Sequence, residues 1–349
     1  MTDGHIGRYH LLEALSKGGM AEVFKAALKG PQGFEKTVAI KRILPHLSTD
    51  EGFREMFIDE AKIATILTHP NIVQVYELGE EEGNLYIVME CVDGKDLRSL
   101  MDIAGSEGLP FLLVAFIGRE VARALDYAHR KGVIHRDVSP HNLLLSWEGE
   151  VKLADFGIAK ASLKASETSA GMLKGKFAYM SPEQASGLPL DRRTDIFSLG
   201  IVLFEMAAGQ RLFLADTDMS TLKKVQEAKV LPLSSFKPQV PQTLEGAIHR
   251  ALKKDPKDRF ASAKEMAEEM DAVLASLRER DPQGVLADFL AASAAAGWTG
   301  GSPGETKMGS WRKEWTRSAM WAGGVAGGIV LLGLLGTGAW FLSPEMFSG

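Results

Sequence analysis

Three short stretches near the start of the chain, Tyr9–Leu15, Val23–Leu28 and Thr37–Ile43, are rich in apolar residues. Gly- and Pro-containing turns separate them, so each reads as a strand. A helical period follows. Phe53, Met56, Phe57, Glu60, Ala64 and Leu67 fall on one stripe, and Ser48-Thr-Asp-Glu51 reads as the capping box that opens this helix. Strand patterning resumes over Ile72–Leu78 and Leu85–Glu90, around Gly83-Asn84. From about residue 97 onward helices dominate. Phe111–Lys131 has a continuous apolar face and Gly132 at its end. Thr194 opens DIFSLGIVLFEMAA, which is apolar almost all round and predicts a central buried helix, with Gly209 after it. Ser262–Arg280 is amphipathic and charged. No internal repeat is evident. A strand-rich part before a helix-rich part predicts an α+β fold of two lobes with a cleft between them.

The far end has another pattern. Ala319–Leu342 is a run of 24 residues without a charge. At about 1.5 Å per residue it covers about 36 Å, enough to cross a hydrocarbon core of about 30 Å. Trp321 and Trp340 sit near its ends, where amphipathic rings prefer the interface. Lys307, Arg312, Lys313 and Arg317 precede the run and only Glu345 follows it. The positive-inside rule then predicts one transmembrane helix, with everything before residue 319 in the cytoplasm and a short tail, 343–349, outside. So short a tail leaves a signal to arrive through a partner, the bilayer or the linker. Gly323/Gly327 and Gly324/Gly328 have the G-x-x-x-G spacing that permits close helix approach, which predicts a homodimer. Residues 281–318 contain GWTGGSPGETKMGS and read as a flexible juxtamembrane linker that follows a short alanine-rich helix.

Composition removes other classes. With 45% apolar and 24% charged residues the chain is neither disordered nor fibrous. A net charge of −5 gives no basic footprint for nucleic acid. The single cysteine, Cys91, cannot close an internal disulfide and reads as a packing residue in a reducing compartment. The opening MTDGHIGRYH is too polar for a secretory signal.

Chemistry enters with Glu60. A carboxylate on a packed stripe needs a cation, because an unpaired buried charge is costly. Lys41, at the end of Val38-Ala39-Ile40, is the nearest reasonable one, and an arginine of the same lobe is the alternative. Next comes His135-Arg-Asp137-Val-Ser-Pro-His-Asn142, then two apolar four-residue strands around a turn with Gly149, then Asp155-Phe-Gly157. That pattern is a hairpin, which brings Asn142 and Asp155 together. An amide oxygen beside a carboxylate is a hard-oxygen site suited to Mg²⁺ with phosphates completing the shell. Asp137 is within reach of the same site and could accept a proton from an incoming hydroxyl.

Together with a Gly-rich loop, V-A-I-K and a P-E motif, these motifs resemble, in their order and spacing, the bacterial serine/threonine protein kinases of eukaryotic-like type. The resemblance covers about residues 9–278. It implies a small β-rich N-lobe, about 9–92, a larger α-rich C-lobe, about 93–278, ATP with Mg²⁺ (or Mn²⁺) as cofactors, and protein substrates. Lys41 would hold the α- and β-phosphates and pair with Glu60; Asn142 and Asp155 would hold the metal; Asp137 would deprotonate the substrate hydroxyl. The resemblance makes Met89 the gatekeeper, Glu90, Cys91 and Val92 the adenine-binding hinge, and Asp96 the ribose contact. Ser16, Gly18, Gly19 and Ala21 form the Gly-rich loop, and Val23, Ala39 and Leu144 join the nucleotide-binding set. Glu183 should pair with Arg259, and Asp195 should brace the catalytic loop; both are scaffold. Arg136 would bind a phosphate on the activation segment, where Thr168 and Ser169 are the favoured acceptors, with Ser166 and Ser162 as further candidates.

Two departures stand out. The outer positions of the Gly-rich loop are Ser16 and Ala21, which implies weaker or slower nucleotide handling. Ser139 stands where the family has lysine, and Lys176 where it has threonine. We read these as an exchange, in which Lys176 supplies charge near the γ-phosphate and the Ser139 hydroxyl bonds Asp137. The rival readings are a membrane-tethered pseudokinase scaffold, supported by Ser16, Ala21 and Ser139, and a small-molecule kinase of related fold. Lys41, Glu60, Asp137, Asn142 and Asp155, each with a separate role, argue against the first. The activation segment ending in Ser181-Pro-Glu183 argues against the second.

Overall fold

The computed structural model describes residues 4–156, 176–278 and 280–295. Residues Met1–Ser293 form one compact unit. The expected span 319–342, its glycine pairs and the tail lie outside the described residues.

The first lobe is built on β1 (His5–Ile6), β2 (Tyr9–Lys17), β3 (Ala21–Lys29), β4 (Glu35–Ile43), helix α1 (Glu51–Thr65), β5 (Val75–Glu81) and β6 (Asn84–Glu90). The six strands form an antiparallel sheet in the order β1-β2-β3-β4-β6-β5. The register aligns Val23 with Lys41 and Ile87, and Lys25 with Ala39 and Met89. Because side chains alternate with a period of two, the two faces separate. Ile6, Tyr9, Ala26, Val38, Ile40, Tyr86 and Val88 pack on the outer face. Ile43, Leu85 and Ile87 pack with Phe57, Ala61 and Ala64 of α1 on the other. Val23, Ala39, Lys41 and Met89 share that second face, so the strand period itself aims Lys41 toward α1.

Two local expectations are corrected. No capping box forms from Ser48. Its hydroxyl closes a turn by donating to Pro45 O at 2.7 Å, and Asp50 caps α1 by accepting from Phe53 N at 3.1 Å. The strand expected from Ile72 begins at Val75. Residues 71–73 pair instead with the second lobe, where Val73 N donates to Leu153 O at 3.0 Å and Leu153 N to Asn71 O at 2.8 Å. Glu82 and Gly83 link β5 to β6 with φ of 49° and 78°, the left-handed pair that a two-residue hairpin turn demands.

The second lobe contains β7 (Gly94–Asp96), α2 (Leu97–Ala104), α3 (Phe111–Arg130), β8 (Leu143–Ser146) and β9 (Val151–Leu153). After these come α4 (Pro182–Ala185), α5 (Arg193–Ala208), α6 (Asp218–Glu227), α7 (Gln242–Ala251), α8 (Ala263–Leu277) and α9 (Pro282–Ala295). Strands β7, β8 and β9 form a small sheet. Every residue from Thr194 to Ala208 is buried, as an all-round apolar helix requires. It ends on Gly209 with φ 72°. Helix α3 packs against both α5 and α8.

The short alanine-rich helix expected ahead of the linker is α9, residues 282–295, which buries Leu286, Leu290 and Ser293. Gln283 Nε2 donates to Glu148 O at 3.1 Å. Gly149 is needed beneath it, since a Cβ there would stand 2.2 Å from Gln283 O. The helix thus rests on the turn of the β8–β9 hairpin, whose opposite end carries Asn142 and Asp155.

Candidate active site

Lys41 reaches across the cleft between two carboxylates. Its Nζ lies 2.5 Å from Glu60 Oε1 and 3.0 Å from Asp155 Oδ1. Lys41 and Glu60 are largely buried, whereas Asp155 is 44% exposed. Burial alone would lower the lysine pKa, but the charges of Asp155 and Glu60 outweigh it and raise it, so Lys41 stays protonated. Met89, Val75 and Phe156 line the same cavity as this triad.

The catalytic loop is held from below. Arg136 has φ 64°, a strained backbone for a side chain of that size. Fully buried Asp195 fixes it by accepting from His135 N and Arg136 N, each at 2.8 Å, while His129 Nε2 also meets it at 2.8 Å. Asp195 therefore braces the loop as expected. His135 adds a link that the motif alone did not disclose. Its Nε2 bonds Ala154 O at 3.0 Å and its Nδ1 accepts from Asp137 N at 3.2 Å. Burial lowers its pKa, so the ring is neutral, with the proton on Nε2. One imidazole thus ties Asp137 to the residue before Asp155.

Asn142 completes the arrangement. Its Nδ2 donates to Asp137 O at 2.8 Å, and its carbonyl accepts from Ala154 N at 2.8 Å. The hairpin therefore brings Asn142 beside Asp155. With its amide nitrogen committed, Asn142 can offer only its side-chain oxygen to a cation, and Asp155 adds a carboxylate. That pair suits a hard divalent ion taking its remaining oxygens from phosphates. Among the described residues no cluster of three or more His, Cys, Asp or Glu could hold a metal without them.

Other expected residues fall as follows. Gly18 N donates to Ala21 O at 2.9 Å to close the tip of the Gly-rich loop. Ser16 and Gly18 are exposed and Gly19 is half-buried, whereas the Ala21 side chain packs in the cluster under α1. Val92 and Leu144 are half-buried, between buried neighbours in the case of Leu144. Asp96 caps α2, accepting from Ser99 N at 2.7 Å. Cys91 is half-buried, and burial pushes its thiol pKa up, away from reactivity. Ser139 is buried. It opens the 3-10 turn Pro140–Asn142, and its backbone carbonyl accepts from Asn142 N at 3.0 Å. Thr168, Ser169, Ser166 and Ser162 lie outside the described residues, as does the Lys176 side chain.

Glu90 does more than its hinge position announced. Lys152 Nζ lies 2.8 Å from Glu90 Oε1 and donates to Pro70 O at 3.1 Å, while Glu90 Oε2 accepts from Gln74 N at 3.2 Å. The pair ties the hinge to β9. Behind the loop, Arg259 holds Glu183 through two bonds of 2.7 and 2.8 Å, as expected.

The family model described as a protein kinase domain matches residues 9–270. The chain belongs to the protein kinase family. Its architecture is the two-lobed kinase fold, with a β-rich N-lobe and a helical C-lobe. The tyrosine-protein kinase MasK of Myxococcus xanthus is 42% identical over 278 residues, covering 77% of this chain and 43% of that protein. The serine/threonine-protein kinase PrkC of Bacillus subtilis is 36% identical over 264 residues, covering 74% and 39%. The crystal structure of the Mycobacterium tuberculosis PknI kinase domain superimposes with a TM-score of 0.60 at 33% identity, covering 78% of this chain and 98% of that domain. The chain spans about two fifths of the length of the curated relatives it matches.

Proposed function

We propose that this protein transfers the γ-phosphoryl group of ATP to serine and threonine hydroxyls of proteins. The observation that carries the reading is Lys41 held between Glu60 and Asp155, with Asp137 and Asn142 anchored beside it. Lys41 offsets the charge of the α- and β-phosphates. Asn142 and Asp155 hold the divalent cation, Mg²⁺ or Mn²⁺, which when bound offsets charge on the phosphate oxygens. The substrate oxygen forms its bond to the γ-phosphorus as the bond to the β–γ bridging oxygen breaks and ADP leaves. Asp137 takes the hydroxyl proton. Val23, Ala39, Met89, the hinge and Leu144 enclose the base; Ser16, Gly18, Gly19 and Ala21 cover the phosphates.

The serine/threonine reading has one specific competitor, because MasK, a relative at 42% identity, is named a tyrosine-protein kinase. Phosphoamino-acid analysis of protein incubated with labelled ATP is expected to show phosphoserine and phosphothreonine. Phosphotyrosine alone would overturn the acceptor assignment, and no incorporation at all would favour the pseudokinase scaffold.

Activation rests on Arg136, whose Nε is buried without a partner among the described residues. A phosphate on Thr168 or Ser169 satisfies it. Phosphopeptide mapping after incubation with ATP is expected to find phosphate there, and an Arg136→Gln variant should no longer gain activity from it. An unmodified segment in fully active protein would remove this role.

Anchoring rests on the uncharged run 319–342. Among the described residues no helix is long and apolar enough to cross a membrane. The full chain is expected in the alkali-washed bacterial membrane fraction, and a chain lacking residues 319–349 in the supernatant. Equal distribution of the two would exclude the anchor, and with it a homodimer through Gly323/Gly327 and Gly324/Gly328.

A further inference from the structure

A cavity of about 240 Å³ lies between α2, the loop ahead of α3 and the C-terminal end of α5. Two guanidinium groups line it, Arg98 from α2 and Arg211 from the segment after α5. Arg98 Nη2 donates to Asp102 at 2.5 Å, but its Nε and Nη1 are buried and have no acceptor among the described residues. Arg211 Nε is likewise buried and has no hydrogen-bond acceptor among the described residues, its ion-pair contact with Glu205 Oε2 being 3.6 Å long. Glu205 accepts hydrogen bonds from Tyr179 Oη at 2.8 Å and Leu212 N at 3.0 Å instead. Three buried charged donors along one cavity are a costly arrangement in the absence of a ligand.

The cavity borders the reaction centre. Helix α2 packs on the turn Pro140–Asn142, which carries the expected cation ligand Asn142. His141, in that turn, lies within reach of the charges of both Arg98 and Arg211. Tyr179, whose ring stacks under Arg211 at 5.1 Å, belongs to the segment that leads into Ser181-Pro182-Glu183. The wall that carries Arg98 and Arg211 thus adjoins, through the turn Pro140–Asn142, the loop that carries Asp137.

Resting on the kinase reading above, we propose that Arg98 and Arg211 form a subsite for an acidic side chain that flanks the phosphoacceptor in the protein substrate. The planar guanidinium fork matches a carboxylate. Asp102 and Glu205 already offset the two positive charges, which disfavours a dianionic phosphate more than a single carboxylate.

The test uses the full chain and matched peptides with one threonine acceptor, in which Glu or Gln is walked through the flanking positions. At one position Glu is expected to exceed Gln by about tenfold in kcat/KM, the scale of one charge-assisted contact. Arg98→Gln and Arg211→Gln should each bring that ratio to within about twofold of unity, while the rate on the Gln peptide stays within about twofold of wild type. A preference that survives both variants, or none at any position, overturns the subsite. Arg211, more exposed than Arg98, keeps the test valid if Arg98→Gln fails to fold. Fluorescence anisotropy with the same peptides and no ATP separates the two readings. A Glu-over-Gln affinity difference that Arg211→Gln removes, without turnover of any peptide, would sink the kinase reading and keep the subsite. Equal affinities beside measurable turnover would do the reverse.

Discussion

Asp137→Asn is expected to lower phosphate transfer from ATP to protein by about a thousandfold, the middle of the range for losing a positioned general base, without loss of the fold. The fold survives because two contacts that hold this residue are made by its backbone: its N–H donates to His135 Nδ1 and its carbonyl accepts from Asn142 Nδ2. Asparagine preserves both, and its side chain has nearly the shape of the carboxylate it replaces. What disappears is the group that accepts the hydroxyl proton. Nucleotide affinity, which depends on Lys41 and the cation ligands, should change little. The comparison needs labelled ATP, Mg²⁺ and a nucleotide-binding titration on the same preparations. Transfer at the wild-type rate by the variant would show that another group takes the proton. Loss of transfer together with loss of nucleotide binding would show that Asp137 acts by holding the site, not on the hydroxyl.

The sequence disclosed those features that repeat along a strand or helix. The helical stripe put Glu60 on a packed face, and the cost of an unpaired charge left Lys41 or an arginine of the same lobe as its partner; the strand register, which sets Val23, Ala39, Lys41 and Met89 on one face, decided for Lys41. The all-round apolar run of α5 announced its own burial. Less legible were features decided by contacts between distant segments or by competition within a turn. Ser48 and Asp50 both have cap-forming side chains, and the choice fell to Asp50 because the preceding turn consumed the Ser48 hydroxyl. The alanine-rich segment 282–295 was legible as a short helix but its docking was not, since its burial depends on a hairpin turn some 135 residues away in sequence. Lys152 carried no periodic signal for its tie to Glu90. His135 was visible as a motif letter, but the two bonds that make it a bridge between Asp137 and Ala154 arise only once the β8–β9 hairpin has folded.

Arg259→Ala is expected to destabilise the protein by about 3–5 kcal/mol, the range for removing one partner of a buried ion pair. Arg259 is fully buried and Glu183 nearly so, and the two meet through two parallel hydrogen bonds. Arg259 also donates to the carbonyls of Lys253, Lys254 and Arg193, and Thr194 Oγ1 donates to Glu183. Removal of the guanidinium therefore leaves a buried carboxylate and several carbonyls short of donors. Glu183→Gln should cost less, because an amide retains an oxygen for Arg259 and Thr194. Combined with Arg259→Ala, it should cost clearly less than the sum of the two single changes, which is the signature of direct coupling. The pH dependence has a definite sign. Burial pushes the Glu183 carboxyl up, but the hydrogen bonds and charge of Arg259 outweigh it and hold its pKa below the ordinary carboxylate value. A depressed folded-state pKa contributes stability that is present above the unfolded-state pKa and is lost as pH falls through the folded-state value. Urea unfolding of wild type should thus weaken on the acid side, and Glu183→Gln should flatten that limb. The consequence for activity runs through α4, where Gln184 Nε2 donates to Arg136 O at 2.9 Å: loosening the Glu183 anchor frees the segment that supports the catalytic loop. Additive costs in the double variant, or an acid limb unchanged by Glu183→Gln, would mean that this pair fits its cavity without holding the lobe together.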